Sequence, residues 1–197
     1  MCKPISGRVI RPDEIIFSQI YTDNDPKNVR VPFSWNAIDG YVLHSTHNHP
    51  NGMPPSIHDI FSIGFNARDV LSHPNLVASQ KSAFMAYYTD VVEAGNGIFY
   101  AITVKDMDKL IAKTTGQGNT VSASINNLNF FLDEYRKLLG PDDETINHRI
   151  QFLLDYFGDS LNLYVGERDI HGNVKKFEKL NLHMGNKIDK ISVACDE

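Results

Sequence analysis

An α/β fold follows from three features of this 197-residue chain. Short alternating runs rich in Tyr, Val and Ile flank a longer segment whose apolar residues repeat every three or four positions. Clusters of Asn, Gly and Pro punctuate these runs. Apolar residues make up 42% and charged residues 22%, the proportions of a chain that buries a real core.

Taken in order, "NVRVPFSW" (28–35) reads as a short extended segment that Pro32 confines to an edge. "GYVLHSTH" (40–47) alternates and reads as a strand; "NHPNGMPP" after it must be a loop, given two adjacent prolines and an Asn-Gly pair. From Ser56, a good N-cap, the pattern turns helical, with Ile57, Ile60, Phe61, Gly64, Phe65 and Val70 on or near one stripe, until "SHPN" (72–75) stops it. Two strands, "AFMAYYTDVV" (83–92) and "GIFYAITV" (97–104), are expected around a turn through "EAGNG". Helices are expected at 106–113, 122–139 and 143–157, with "TTGQGN" (114–119) as a loop. The tail reads as a β-hairpin of 161–168 and 174–182. The layout divides into a core over 1–105 and a helical and β-hairpin extension over 106–197.

A formal charge of -5 and dispersed Lys and Arg residues argue against a nucleic-acid partner. No apolar run approaches the ~20 residues of a membrane span, so no membrane partner is expected. Cys2 and Cys195 read as two unpaired thiols near the ends of the chain, although a bridge between them is conceivable. The start lacks the apolar core of a signal peptide. The default location is cytoplasmic, and an exported one would follow if the chain were a domain of a larger secreted protein.

The stretch "LHSTHNHPNGMPPSIHDI" (43–60) holds four histidines. Side chains two apart on a strand share a face, so His47 and His49 can bring both imidazoles to one point, whereas His44 faces away. Asp59, in the first turn of the next helix, can face back toward the strand end, whereas His58 points elsewhere. Two histidines and a carboxylate leave one tetrahedral position open, the pattern of catalytic rather than structural zinc. Such chemistry calls for a carboxylate base, and Glu14 alone among the glutamates precedes the histidines. Ser56 and Asp59 together also read as a helix capping box, which is compatible with catalysis because the serine keeps a proton to donate.

In "HNHPNGMPPSIHD" the order His-x-His-Pro, short loop, Ser-x-x-Asp resembles the JAMM motif of JAB/MPN metalloproteases, which RadC-like proteins and bacterial JAB-like domains, including those of polymorphic toxins, also carry. The resemblance covers roughly residues 8 to 105. It implies a JAB/MPN-like (cytidine deaminase-like) mixed β-sheet flanked by helices. It further implies Zn²⁺ on His47, His49 and Asp59, Ser56 as oxyanion support, Glu14 as proton shuttle, and a peptide or protein substrate cleaved at a peptide or isopeptide bond. Alternatives of the same fold are a catalytically inactive binding or scaffold domain and a JAB-like toxin domain of a larger secreted protein. An HNH nuclease is disfavoured: its namesake residues are spread over a ββα unit, not consecutive, and the acidic charge does not attract phosphates.

Overall fold

The structure is a computed structural model that describes residues 8–11, 14–16, 41–49, 52–95, 97–116, 121–138, 145–171, 174–183 and 187–192. Strands β1 (Arg8–Arg11), β2 (Glu14–Ile16) and β3 (Tyr41–Val42) form an antiparallel sheet in the order β2-β1-β3. The run expected as one strand over 40–47 breaks at Leu43. Its second part, β4 (His44–Asn48), leaves that sheet and pairs in parallel with β5 (Thr89–Glu93). From β5 the ladder continues antiparallel through β6 (Ile98–Val104), β7 (Leu161–Arg168), β8 (Val174–His183) and β9 (Lys187–Ser192). The result is an α/β molecule with a mixed six-stranded sheet.

Parallel neighbours cannot be joined by a tight turn; they need a crossover of a dozen or more residues. Helices α1 (Ile57–Ser72) and α2 (Ala78–Tyr87) supply it. The strand expected over 83–92 is therefore half wrong: residues 83–87 complete α2, and strand geometry begins only at Thr89. Ala78, Gln80, Lys81, Ala83 and Met85 are good helix formers. The Gln80 side chain also accepts from the Val77 N–H at 3.1 Å, closing the helix start. The beta-prone pair Tyr87 and Tyr88 masked this helix, which buries only Phe84 fully. The turn through "EAGNG" forms as expected, with Gly95 and Gly97 both at φ 75°, a backbone region that glycine enters without a Cβ clash.

Three further helices follow among the described residues: α3 (Met107–Thr115), α4 (Val121–Leu138) and α5 (Ile146–Phe157). One apolar core joins Ile60 and Phe61 of α1, Val92 and Ile102 of the central strands, Leu110 of α3, Phe152 and Phe157 of α5, and Leu163 of β7. Elements from both sides of residue 105 thus share a sheet and a core. A smaller cluster of Val91, Phe99 and Ala101, with Tyr164 and Phe177 against it, covers the opposite face.

The tail expected as a hairpin is a three-stranded meander, because β9 adds to β8. Its pattern carries little hydrophobic signal: Ile188 packs on the core while Lys187, Lys190, Ile191 and Ser192 stay exposed. Backbone pairing, not side-chain burial, holds this strand. The segment expected at 28–35, Trp35 and both cysteines lie outside the described residues. No described helix is long and apolar enough to cross a membrane.

Helix α1 carries the expected stripe, with Ile57, Ile60, Phe61, Gly64 and Val70 buried and Phe65 half-buried. Gly64 is the point of closest approach to α3, where an added Cβ would overlap the buried Thr114 side chain. Gly64→Ala should therefore destabilise the fold by about 1–3 kcal/mol through overpacking, despite alanine's better helix propensity. Urea unfolding checks this: a midpoint equal to or above wild type would mean that α1 and α3 are not held at this spacing.

Candidate metal centre

Alternation along β4 puts Ser45, His47 and His49 on one face and His44, Thr46 and Asn48 on the other. The buried His44 ring accordingly turns away, its Nε2 lying 2.8 Å from Thr46 Oγ1. Although β4 ends at Asn48, the His49 N–H still donates to the Glu93 carbonyl at 2.8 Å. The ladder thus extends one residue further and keeps His49 in phase with His47. Gly52, at φ 76°, then lets the chain turn back, its N–H donating to the His49 carbonyl at 3.1 Å.

The third residue comes from the start of α1. Ser56 is the N-cap: its Oγ accepts from the Asp59 N–H at 3.2 Å, and its own N–H donates to Asp59 Oδ2 at 2.5 Å. This reciprocal box satisfies two backbone groups of the helix end. It also fixes the carboxylate plane. Asp59 Oδ1 then lies 3.3 Å from His47 Nε2, and Oδ2 lies 3.4 Å from His49 Nε2. The two rings stand 5.0 Å apart between centroids at 63°.

Each histidine has a different partner at its far nitrogen. His49 Nδ1 lies 3.1 Å from both the Met53 and Pro54 carbonyls, which can only accept, so this nitrogen bears the proton and Nε2 offers its lone pair to the centre. Arg149 of α5 donates from Nη1 to the same Pro54 carbonyl at 3.0 Å, tying the later part of the chain to the loop. His47 Nδ1 instead faces Asp90 Oδ1 of β5 at 3.6 Å. Asp90 is buried and accepts a 2.5 Å hydrogen bond from Ser45 Oγ.

The set suits a metal ion. Donor atoms of His47, His49 and Asp59 all lie within 4.8 Å of one another, and among the described residues theirs is the sole such group. Each imidazole Nε2 lies near one oxygen of the Asp59 carboxylate, His47 at 3.3 Å from Oδ1 and His49 at 3.4 Å from Oδ2, the close approach of nitrogen and oxygen donors that a zinc ion bridges. His47 Nε2 is fully buried and lacks a hydrogen-bond partner, since its contact with Asp59 is an ion pair without hydrogen-bond geometry. An ion bound between these three side chains would engage that nitrogen's lone pair.

The site residues read from the sequence are thus brought together in part. His47, His49 and Asp59 converge, and Ser56 sits beside Asp59 as its cap, with its hydroxyl proton uncommitted among the described residues. His58 is exposed, as expected. Glu14 opens β2, two strands from β3, which leads into β4; its side chain is outside what the structure describes. Asp90, Ser45 and Arg149 were missed by the sequence reading. An aspartate opening the otherwise apolar run "DVV" was the available signal for Asp90. Comparison with protein-family models, curated proteins and solved structures finds no match.

In the metal-free protein, burial opposes the charge on His47, but the Asp59 and Asp90 carboxylates outweigh it and lift the imidazole from 6.5 to about 10. Burial likewise opposes the Asp59 carboxylate, and His47, the Ser56 N–H and His49 together bring it down from 3.8 to about 2. A depressed acid stabilises above its unfolded value and loses that contribution as pH falls through about 2. A raised histidine stabilises fully below 6.5 and loses its contribution as pH rises through about 10. Metal-free protein should therefore be most stable between pH 3.8 and 6.5 as far as this pair is concerned. Thermal melts across pH should show an alkaline decline in wild type that shrinks in Asp59→Asn. An equal decline in both would show that the pair contributes nothing.

Proposed function

We propose that the chain is a zinc-dependent hydrolase of JAMM type, with a JAB/MPN-like fold, that cleaves a peptide or isopeptide bond. The observation that carries this reading is the convergence of His47, His49 and Asp59 on one point, with the buried Nε2 of His47 lacking a hydrogen-bond partner. Two imidazoles and one carboxylate suit a borderline-soft divalent ion such as zinc and leave a coordination position open. When bound, zinc supplies the Lewis acidity that makes water a nucleophile near neutral pH.

The protein's own groups have distinct parts in this reading. His47, His49 and Asp59 hold the ion, and the capping box keeps the Asp59 carboxylate from swinging away. Ser56 donates a hydrogen bond from its hydroxyl to the developing oxyanion of the substrate carbonyl. Glu14 takes a proton from the attacking water and returns it to the leaving amine. The site lies at the carboxyl end of β4 and the start of the crossover helix, where open sheets of this kind hold their ligands.

The alternative is a scaffold domain of the same fold, in which His47, His49 and Asp59 hold the ion without catalysis. One assay separates the two. Zinc-loaded protein should hydrolyse internally quenched peptides or an isopeptide-linked conjugate, with activity abolished by a chelator and restored by zinc. Glu14→Gln should cut the rate at least 100-fold, the scale of general acid–base catalysis, while still binding zinc. Zinc binding without hydrolysis of any substrate in either protein would leave the scaffold reading standing and remove the hydrolase.

A further inference from the structure

We propose that Asp90 is a positioning residue of the metal centre, holding His47 in the tautomer that keeps its proton on Nδ1 and presents Nε2 to the ion. The inference rests on the metal-binding reading above and is independent of the reaction. Its starting point is register. In the parallel pair, Ser45 lies opposite Asp90 and His47 opposite Val92. Cross-strand partners share a face, so Asp90 stands beside Ser45 on the face that carries His47 and His49. The pairing of β4 with β5 therefore delivers a carboxylate to the back of one metal-facing ring.

That carboxylate is itself held. Ser45 Oγ donates to Asp90 Oδ1 at 2.5 Å, which commits the only hydroxyl proton Ser45 has. The 3.1 Å contact between Ser45 Oγ and Tyr88 Oη must then be a donation from the tyrosine. The order Tyr88 to Ser45 to Asp90 runs from the residue before β5 through β4 and back. It leaves Asp90 in place next to His47 Nδ1 at 3.6 Å.

At that distance the contact acts through charge. Asp90 is only 5% exposed at its side chain, so screening by water is weak. A proton on Nδ1 is attracted by the carboxylate, whereas a lone pair there is repelled. Asp59 stands at the other nitrogen, Nε2, at 3.3 Å, so it is a cation bound there that takes the Nε2 lone pair, and the ring proton is then left on Nδ1, where Asp90 attracts it. His49 reaches the same tautomer by another route, through the Met53 and Pro54 carbonyls. A carboxylate behind a metal-binding histidine both orients the ring and strengthens it as a donor.

The test compares wild type, Asp90→Ala and Asp90→Asn as full chains, using Zn²⁺ against a competing chromophoric chelator. Nitrogen-15 NMR of the zinc-loaded proteins then identifies the protonated ring nitrogen of each histidine. Wild-type His47 should be protonated at Nδ1 with Nε2 on the metal. Asp90→Ala should lose about 10–100-fold in zinc affinity and show His47 in mixed tautomers. Asp90→Asn, which retains an acceptor oxygen, should recover part of the loss. A folded Asp90→Ala protein that binds zinc as tightly as wild type overturns the proposal. So does a wild-type spectrum with His47 on the metal through Nδ1, and that spectrum decides the matter even if the alanine variant does not fold. Wild type that binds no zinc removes the metal reading and this proposal together, whereas intact wild-type binding with unaffected variants removes Asp90 alone.

Discussion

The capping box between Ser56 and Asp59 is the constraint on which the rest of the site depends. A helix start leaves backbone N–H groups without partners, and this pair satisfies two of them reciprocally. One of these two hydrogen bonds, from the Ser56 N–H to Oδ2, holds the Asp59 carboxylate where each oxygen meets a different imidazole. One local device thus serves the fold and the site at once. Without it the carboxylate would lose the backbone hydrogen bond that keeps it between the two half-buried histidines.

The larger fold brings that helix start to the right place. Because β4 and β5 are parallel, the chain must cross over between them, and α1 begins that crossover directly above the end of β4. The histidines at the strand end and the aspartate at the helix start are therefore neighbours by topology. The crossover also sets what lies behind the site. Parallel register brings Asp90 beside Ser45, so the carboxylate that backs His47 is a consequence of the pairing that created the site. From the far side, Arg149 of α5 reaches the Pro54 carbonyl, which also faces His49. The later part of the chain thus shares in the site's geometry as well as in the core.

What could be read from the sequence divides along physical lines. His47, His49, Ser56 and Asp59 were legible because each depends on a local rule: two-residue periodicity on a strand, and an oxygen-bearing side chain at a helix start. The stripe of α1 was legible for the same reason. Asp90 was not, since its role depends on a strand pairing across a crossover of some forty residues. Helix α2 was hidden because it buries a single aromatic and ends in a beta-prone tyrosine pair, so neither period dominates. Strand β9 was hidden because its exposed, charged residues give no alternation that burial would enforce. The parallel pairing of β4 was also out of reach, and it is the feature that places the site at a strand's carboxyl end.

The central claim is that His47, His49 and Asp59 hold one divalent ion between them, and metal content tests it most directly. After zinc reconstitution and removal of loosely bound metal, elemental analysis should find one zinc per chain in wild type. It should find none in either His47→Ala or Asp59→Ala, with circular dichroism confirming that both variants are folded. Zinc retained at full stoichiometry in both variants, or absent from the wild type, would contradict the account.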